Sequence, residues 1–326
     1  MTFAEKPQTK LFGVDAARVS TPELHAVYQE LKDIFQSDFG RFELSAFLSS
    51  KMDHGDIDIL VLSSPELNVK SLIDNKLGEK ILKISRNDST WSFLFDSNIG
   101  KKVHIDFICS TSEDKHLTKM QYYSLNDFSA VIGTVSKKLN FKYGSEYFAK
   151  RFVDKRSIWH DIPLTQDLMT GLAILGFDVS QYGNIHTRDD IVSFMANNPL
   201  VDSSFFERDI LSSADRQAYG KRQGVKYILD KLRGMDLKRK IHDEDYFLKQ
   251  YPDLYQKVID KIQQLNKEVY LQSAKFGGTW IMETFHLSPS PQIGTILKGL
   301  YLQFGDKLEE QPEEIVQAAV NLLLKK

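Results

Sequence analysis

His54-Gly55-Asp56-Ile57-Asp58-Ile59-Leu60 decides the reading of this chain, taken with Val103-His104-Ile105-Asp106-Phe107-Ile108 further along. Both segments have the apolar runs of buried strands, yet each carries carboxylates. Side chains on a strand alternate between faces, so Asp56 and Asp58 project to the same side. Neighbouring like charges repel, and desolvation raises their pKa at a cost in stability. A folded chain retains such a pair where a cation neutralises it. Ligands that are all oxygen favour Mg²⁺ or Mn²⁺. Asp106 adds a third carboxylate between apolar neighbours. Three aspartates on neighbouring strands suit a pair of metals, the arrangement that supports in-line displacement at a phosphate.

The 326 residues allow one large domain or two ordinary ones, with enough sequence for a sizeable core. Basic and acidic residues nearly balance, 42 against 44, so any nucleic-acid contact has to come from a local patch. Cys109 is the sole cysteine, which excludes an intramolecular disulfide and a cysteine-rich zinc site. The opening MTFAEKPQTK lacks the apolar stretch of a signal peptide, and no apolar run approaches membrane-spanning length. The expectation is a soluble cytoplasmic chain without a membrane partner.

Turn and cap signals order the rest. Thr21-Pro22-Glu23 opens a helix that ends near Gly40. Strands are expected at 41–48, 56–62, 80–85, 90–95 and 102–109, with a helix over 65–76. A helix over 126–139 is capped by Asn126. Two short strands (146–153 and 156–161) then precede a helix over 165–176 that stops at Gly176. From residue 186 the pattern is helical throughout: Thr187-x-x-Asp190 reads as a capping box, 214–234 as a basic helix, 252–275 as a long amphipathic one, and 291–305 and 312–325 as the last two. The pattern up to residue 182 suggests an α+β or α/β sheet domain, α+β being the class we expect, with a catalytic domain over 1–182 and a helical domain over 183–326, the boundary falling between 178 and 188.

Ser45-Ala46-Phe47-Leu48-Ser49-Ser50-Lys51-Met52-Asp53-His54-Gly55-Asp56-Ile57-Asp58 resembles the signature of the nucleotidyltransferase superfamily. That signature is Gly-Ser, a spacer of about ten residues, Asp-x-Asp in an apolar strand, and a third carboxylate on a later strand. The likeness is greatest to family X DNA polymerases (the DNA polymerase β type), which place a glycine before the first aspartate, as Gly55 stands here. Tyr122-Tyr123-Ser124 occupies the place of that family's aromatic turn, and LNFKYGSEYF and TQDLMTGLAILGFD follow the order of its nucleotide-binding subdomain. The likeness covers roughly residues 20–180. It implies a palm with a mixed sheet, Asp56, Asp58 and Asp106 as catalytic metal ligands, an NTP or dNTP substrate, and Tyr123 and Ser124 against its sugar and base.

One departure stands out. The Gly-Ser position reads Ser45-Ala46, and the family's triphosphate-binding arginine falls near Ser49. A glycine lets backbone amides approach phosphates closely, which serine does less well. Ser49, Ser50 and Lys51 are the replacement donors at hand; the alternative is a loop that has lost triphosphate binding. Lys137, Lys138 and Lys142 are placed either to meet phosphates or as solvated lysines. Arg216, Lys221, Arg222 and Lys226 form a basic face with Tyr219 and Tyr227 interleaved, suited to nucleic acid. The stretch from Gly277 through Pro291 to Gly294 resembles the tail of bacterial poly(A) polymerases and CCA-adding enzymes, with Ser290 in place of a glycine. His104, two residues before Asp106, reads as a packing or hydrogen-bonding residue.

These residues point to an enzyme that transfers a nucleoside monophosphate from an NTP or dNTP to a hydroxyl, a nucleic-acid 3′ end by preference, with release of pyrophosphate. Two other classes stay open: nucleotidylation of a small-molecule or protein hydroxyl, and an inactive nucleic-acid-binding module. Sequence alone does not separate RNA from DNA.

Overall fold

Alternation along the strands decides which sheet face is core. The computed structural model describes residues 9–11, 14–125, 127–154, 157–273 and 275–324. Its main sheet contains, in spatial order, β4 (Arg41–Leu44), β6 (Ile57–Leu62), β9 (Lys102–Ser110), β8 (Thr90–Asp96) and β7 (Ile81–Asn87). β6 and β9 run parallel and the other neighbours antiparallel, so the sheet is mixed and the class is α+β. Shorter pairs are β1 (Thr9–Leu11) with β2 (Val14–Ala16), and β3 (Val19–Ser20) with β5 (Asp53–His54). A separate three-stranded sheet orders β10 (Phe141–Tyr143), β11 (Phe148–Val153) and β12 (Trp159–Thr165).

Ile57, Ile59 and Val61 of β6 share one core with Val103, Ile105 and Phe107 of β9. Against them pack Leu24, Val27, Leu31 and Phe35 of α1 (Thr21–Phe35), and Val69, Ile73 and Leu77 of α2 (Val69–Leu77). Each such side chain contributes roughly 1.5–3 kcal/mol when fully buried. Phe107 sits at the centre, met edge-on by Phe35 at 5.4 Å, Phe42 at 5.5 Å and Phe93 at 5.0 Å between ring centroids. The core thus takes the odd-numbered positions of β6 and β9. Asp58, His104 and Asp106 are left on the opposite face.

α1 starts one residue after Ser20, whose backbone N–H donates to Glu23 Oε2 at 2.8 Å. The Lys101 ammonium, then the Ser20 amide, hold the Glu23 carboxyl down at about 2. The opposite sheet face is covered by α3 (Glu113–Tyr123), a helix that periodicity does not announce. Its buried positions are His116, Thr118 and Lys119, so no apolar stripe marks it. Their main polar atoms have partners: His116 Nε2 lies 2.6 Å from Glu43 Oε2, and Lys119 Nζ donates to Ser89 Oγ and to the Cys109 carbonyl.

α4 (Phe128–Lys138), α5 (Leu168–Ile174) and α6 (Arg188–Ala196) follow. α4 begins behind Asp127; the cap expected at Asn126 lies outside the described residues. α6 has the expected capping box of Thr187 and Asp190. The basic helix expected over 214–234 is two helices, α7 (Ser213–Lys221) and α8 (Gln223–Arg233), with Arg222 extended between them at φ −108° and ψ 103°. Gly220 and Gly224 flank the break, and each weakens a helix interior by about 1 kcal/mol relative to alanine.

The chain divides into two compact units, at different places from the expected 178–188. The first runs to Lys150 and resumes from Pro163 to Gln250, so α6, α7 and α8 belong with the sheet. The second comprises Arg151–Ile162 and the chain from Tyr251 onward. Its helices are α9 (Pro252–Ser273), α10 (Gly278–Thr284), α11 (Pro291–Phe304) and α12 (Glu313–Leu324). Ile281, Ile296, Leu300, Val316 and Val320 form their core. Gly299 lets α11 approach α12, since a Cβ there would fall 2.7 Å from a Leu323 methyl. Of the Gly277–Gly294 stretch, Ile281 and Ile293 belong to this core. No described helix is long and apolar enough to cross a membrane.

Candidate active site

Parallel pairing of β6 with β9 sets Asp58 directly opposite Asp106, and Asp56 stands immediately before β6. One carboxylate oxygen from each of the three lies within 4.8 Å of the others. Neither Asp56 nor Asp58 makes a side-chain hydrogen bond or ion pair among the described residues. Burial, then the charges of Asp56 and Asp106, push the Asp58 carboxyl up to about 8. The cluster is therefore costly as it stands, and its donors suit a hard divalent cation. His104 Nε2 lies 3.0 Å from Asp106 Oδ1. Burial works against a charged ring, but the bond to Asp106 and the charges of the three carboxylates hold His104 above its ordinary value.

These carboxylates open onto a cavity of about 840 Å³. Its other lining includes Arg18, Lys51, Tyr122, Tyr123, Asp127, Arg188, Lys221, Arg222 and Gly224. Two of the five cations have an acidic partner, Arg188 within the wall and Arg18 outside it. Arg18 Nε is 2.6 Å from Asp53, and Arg188 Nε is 3.6 Å from Asp127. Lys51, Lys221 and Arg222 form no side-chain ion pair among the described residues. Burial lowers the Lys51 ammonium, against the pull of Asp56 and Asp58. Burial, then Tyr122, then the Asp58 and Asp106 charges push the Tyr123 phenol up to about 12, so it stays protonated at neutral pH.

Gly224 allows α8 to sit against the Asp127–Arg188 pair. A Cβ on Gly224 would fall 1.7 Å from Asp127 Oδ2 and 2.6 Å from Arg188 Nε. Gly224→Ala is expected to destabilise the chain by about 1–3 kcal/mol through overpacking. Adding Asp127→Ala should recover most of that loss in denaturant unfolding. Equal losses in the single and double variants would locate the crowding elsewhere.

Of the binding residues expected from sequence, Lys51 and Tyr123 line the cavity, and Ser45, Ser49, Ser50, Gly55 and Ser124 do not. Ser45 is buried, with Oγ donating to the Tyr123 carbonyl at 2.7 Å and N–H to the Asp58 carbonyl at 3.0 Å. Leu125 N–H donates to the Ala46 carbonyl at 2.9 Å, at a left-handed φ of 59°. This loop ties the Tyr122–Leu125 turn to β6. Ser49 and Ser50 are exposed and turn toward the His186 carbonyl, Oγ at 3.4 Å and N at 3.3 Å. Gly55 lies between β5 and β6, and Ser124 Oγ bonds to the Met120 carbonyl.

The basic face parts at the α7–α8 break. Lys221 and Arg222 line the cavity, while Arg216 and Lys226 do not, Lys226 lying over the Tyr219 ring. Lys137 is paired with Asp215 at 2.6 Å and Lys138 donates to the Ile210 carbonyl, so neither is free for a phosphate. Lys142 donates to the Tyr147 hydroxyl at 3.3 Å. Arg18, Asp127 and Arg188 join the cavity without any sequence motif to mark them. No protein-family model matches this chain, and no curated protein sequence matches it either.

Proposed function

We propose that the chain is a divalent-metal-dependent nucleotidyltransferase whose sheet is a polymerase β-like palm. It moves a nucleoside monophosphate from an NTP or dNTP to a hydroxyl and releases pyrophosphate. One observation carries the reading: three carboxylates within 4.8 Å of one another face a cavity whose remaining wall is rich in cations. Asp56, Asp58 and Asp106 would hold Mg²⁺ or Mn²⁺. A bound ion there supplies charge neutralisation at the reacting phosphate and a more acidic attacking hydroxyl. The residues fit it, since all donors are oxygen and two of the carboxylates make no side-chain hydrogen bond or ion pair among the described residues.

The hydroxyl oxygen forms the new bond to the α-phosphorus, and the bond from that phosphorus to the pyrophosphate oxygen breaks. The hydroxyl proton passes to Asp106, which His104 orients at 3.0 Å. Tyr122 and Tyr123 offer the aromatic wall for sugar and base. A nucleic-acid 3′ end is the acceptor we favour, because a cation-rich cavity suits phosphates better than it suits a cationic small molecule. Incubation with Mg²⁺ or Mn²⁺, each labelled NTP and dNTP, and a panel of RNA and DNA oligonucleotides tests this. Extension of one oligonucleotide by labelled nucleotide is expected. Label on the protein or on a small hydroxyl compound alone would move the acceptor out of nucleic acid, and no incorporation anywhere would end the reading.

A further inference from the structure

We infer that the substrate's polyphosphate is gripped by Lys51 together with Lys221 and Arg222 at the α7–α8 break, and that the Ser45–Ser50 loop takes no part. This rests on the nucleotidyl-transfer reading and says which side chains hold the donor. Two independent observations meet here. First, the loop's groups are spent elsewhere: Ser45 Oγ on the Tyr123 carbonyl, and Ser49 Oγ and Ser50 N on the His186 carbonyl. Those residues also stand outside the cavity lining. Second, three cations border the same cavity as the carboxylates and form no side-chain ion pair among the described residues.

Local backbone explains how two consecutive residues both reach the cavity. Neighbours on a continuous helix diverge by about 100° around its axis. Arg222 leaves the helical conformation, ending α7 and starting α8, so Lys221 and Arg222 can border the same space. Gln223 and Gly224, in the first turn of α8, line it too, and no side chain caps that turn. Their amides add donors of the right sign. A chain of phosphates bridging the carboxylate side and this wall would satisfy both at once. Cations without partners are what such a ligand needs, and an ammonium as enclosed as Lys51 gains most from an anion.

Titration of the whole 326-residue chain with inorganic tripolyphosphate in Mg²⁺, followed by calorimetry, tests the grip without catalysis. Wild type should bind. Lys221→Ala with Arg222→Ala should weaken binding at least about tenfold, the effect of losing charge-assisted contacts. Both side chains are exposed, so folding should survive, and Lys221→Gln with Arg222→Gln serves as a second pair. Ser49→Ala with Ser50→Ala should stay within about twofold of wild type. Unchanged tripolyphosphate affinity in the basic-residue variants overturns the grip. So does a loss confined to oligonucleotide affinity, which would give these residues to the acceptor strand. Wild type that binds tripolyphosphate but incorporates no label upholds the grip and removes the nucleotidyl-transfer reading. Wild type that binds neither tripolyphosphate nor NTP overturns both.

Discussion

Asp58→Asn is expected to reduce nucleotide incorporation at least about a hundredfold, beyond what losing an outer-shell partner costs at a metal site. Asp58 is the middle member of the cluster, opposite Asp106 across the strand pair and next but one to Asp56. Asparagine keeps the shape and removes the charge, so the loss reads the carboxylate and not the packing. Incorporation rates with saturating Mg²⁺ or Mn²⁺ on the oligonucleotide that wild type extends give the number. Near wild-type incorporation by the variant would show that the cluster is not the catalytic centre.

The same substitution should stabilise the metal-free fold, by an amount that depends on pH. Asp58 is held at about 8 in the fold, against an ordinary 3.8. Between those values the folded chain keeps a proton that the unfolded chain has released, so stability falls as pH rises through that window. The contribution is fully present below about pH 4 and lost by about pH 8. The stability of Asp58→Asn relative to wild type should therefore grow across this window, by up to several kcal/mol. Mg²⁺ or Mn²⁺ at pH 8 should stabilise wild type and leave the variant almost unmoved. Urea unfolding at several pH values, with chelator and with metal, measures both. A difference that stays flat with pH would mean that Asp58 is ionised without cost, and that the cluster does not need a cation.

How much of this was legible follows from where the information lies. The nearness of Asp56 and Asp58 is local, one residue apart at the start of β6, and sequence was enough for it. The pairing of β6 with β9 is not local, so the register that puts Asp58 opposite Asp106 came only with the sheet. α3 was missed because its inward positions are polar and matched by Glu43, Ser89 and Glu146. The basic stretch has the periodicity of one continuous helix, and only Gly220 and Gly224 mark its weak point. That break, and the membership of α7 and α8 in the sheet's own unit, brought Lys221 and Arg222 to the aspartates. Arg18, Asp127 and Arg188 reach the cavity from segments far apart in the chain, so no short motif could announce them. Ser45, Ser49 and Ser50 were placed by resemblance, and their hydrogen bonds turn them to other work.

The most direct test of the account follows an α-labelled and a γ-labelled nucleotide in parallel, with metal, wild-type chain and an oligonucleotide acceptor. Nucleotidyl transfer predicts the α label on the lengthened acceptor and the γ label in free pyrophosphate, both abolished by chelator. A γ label found on the acceptor, or both labels released by hydrolysis with the acceptor unchanged, would contradict it.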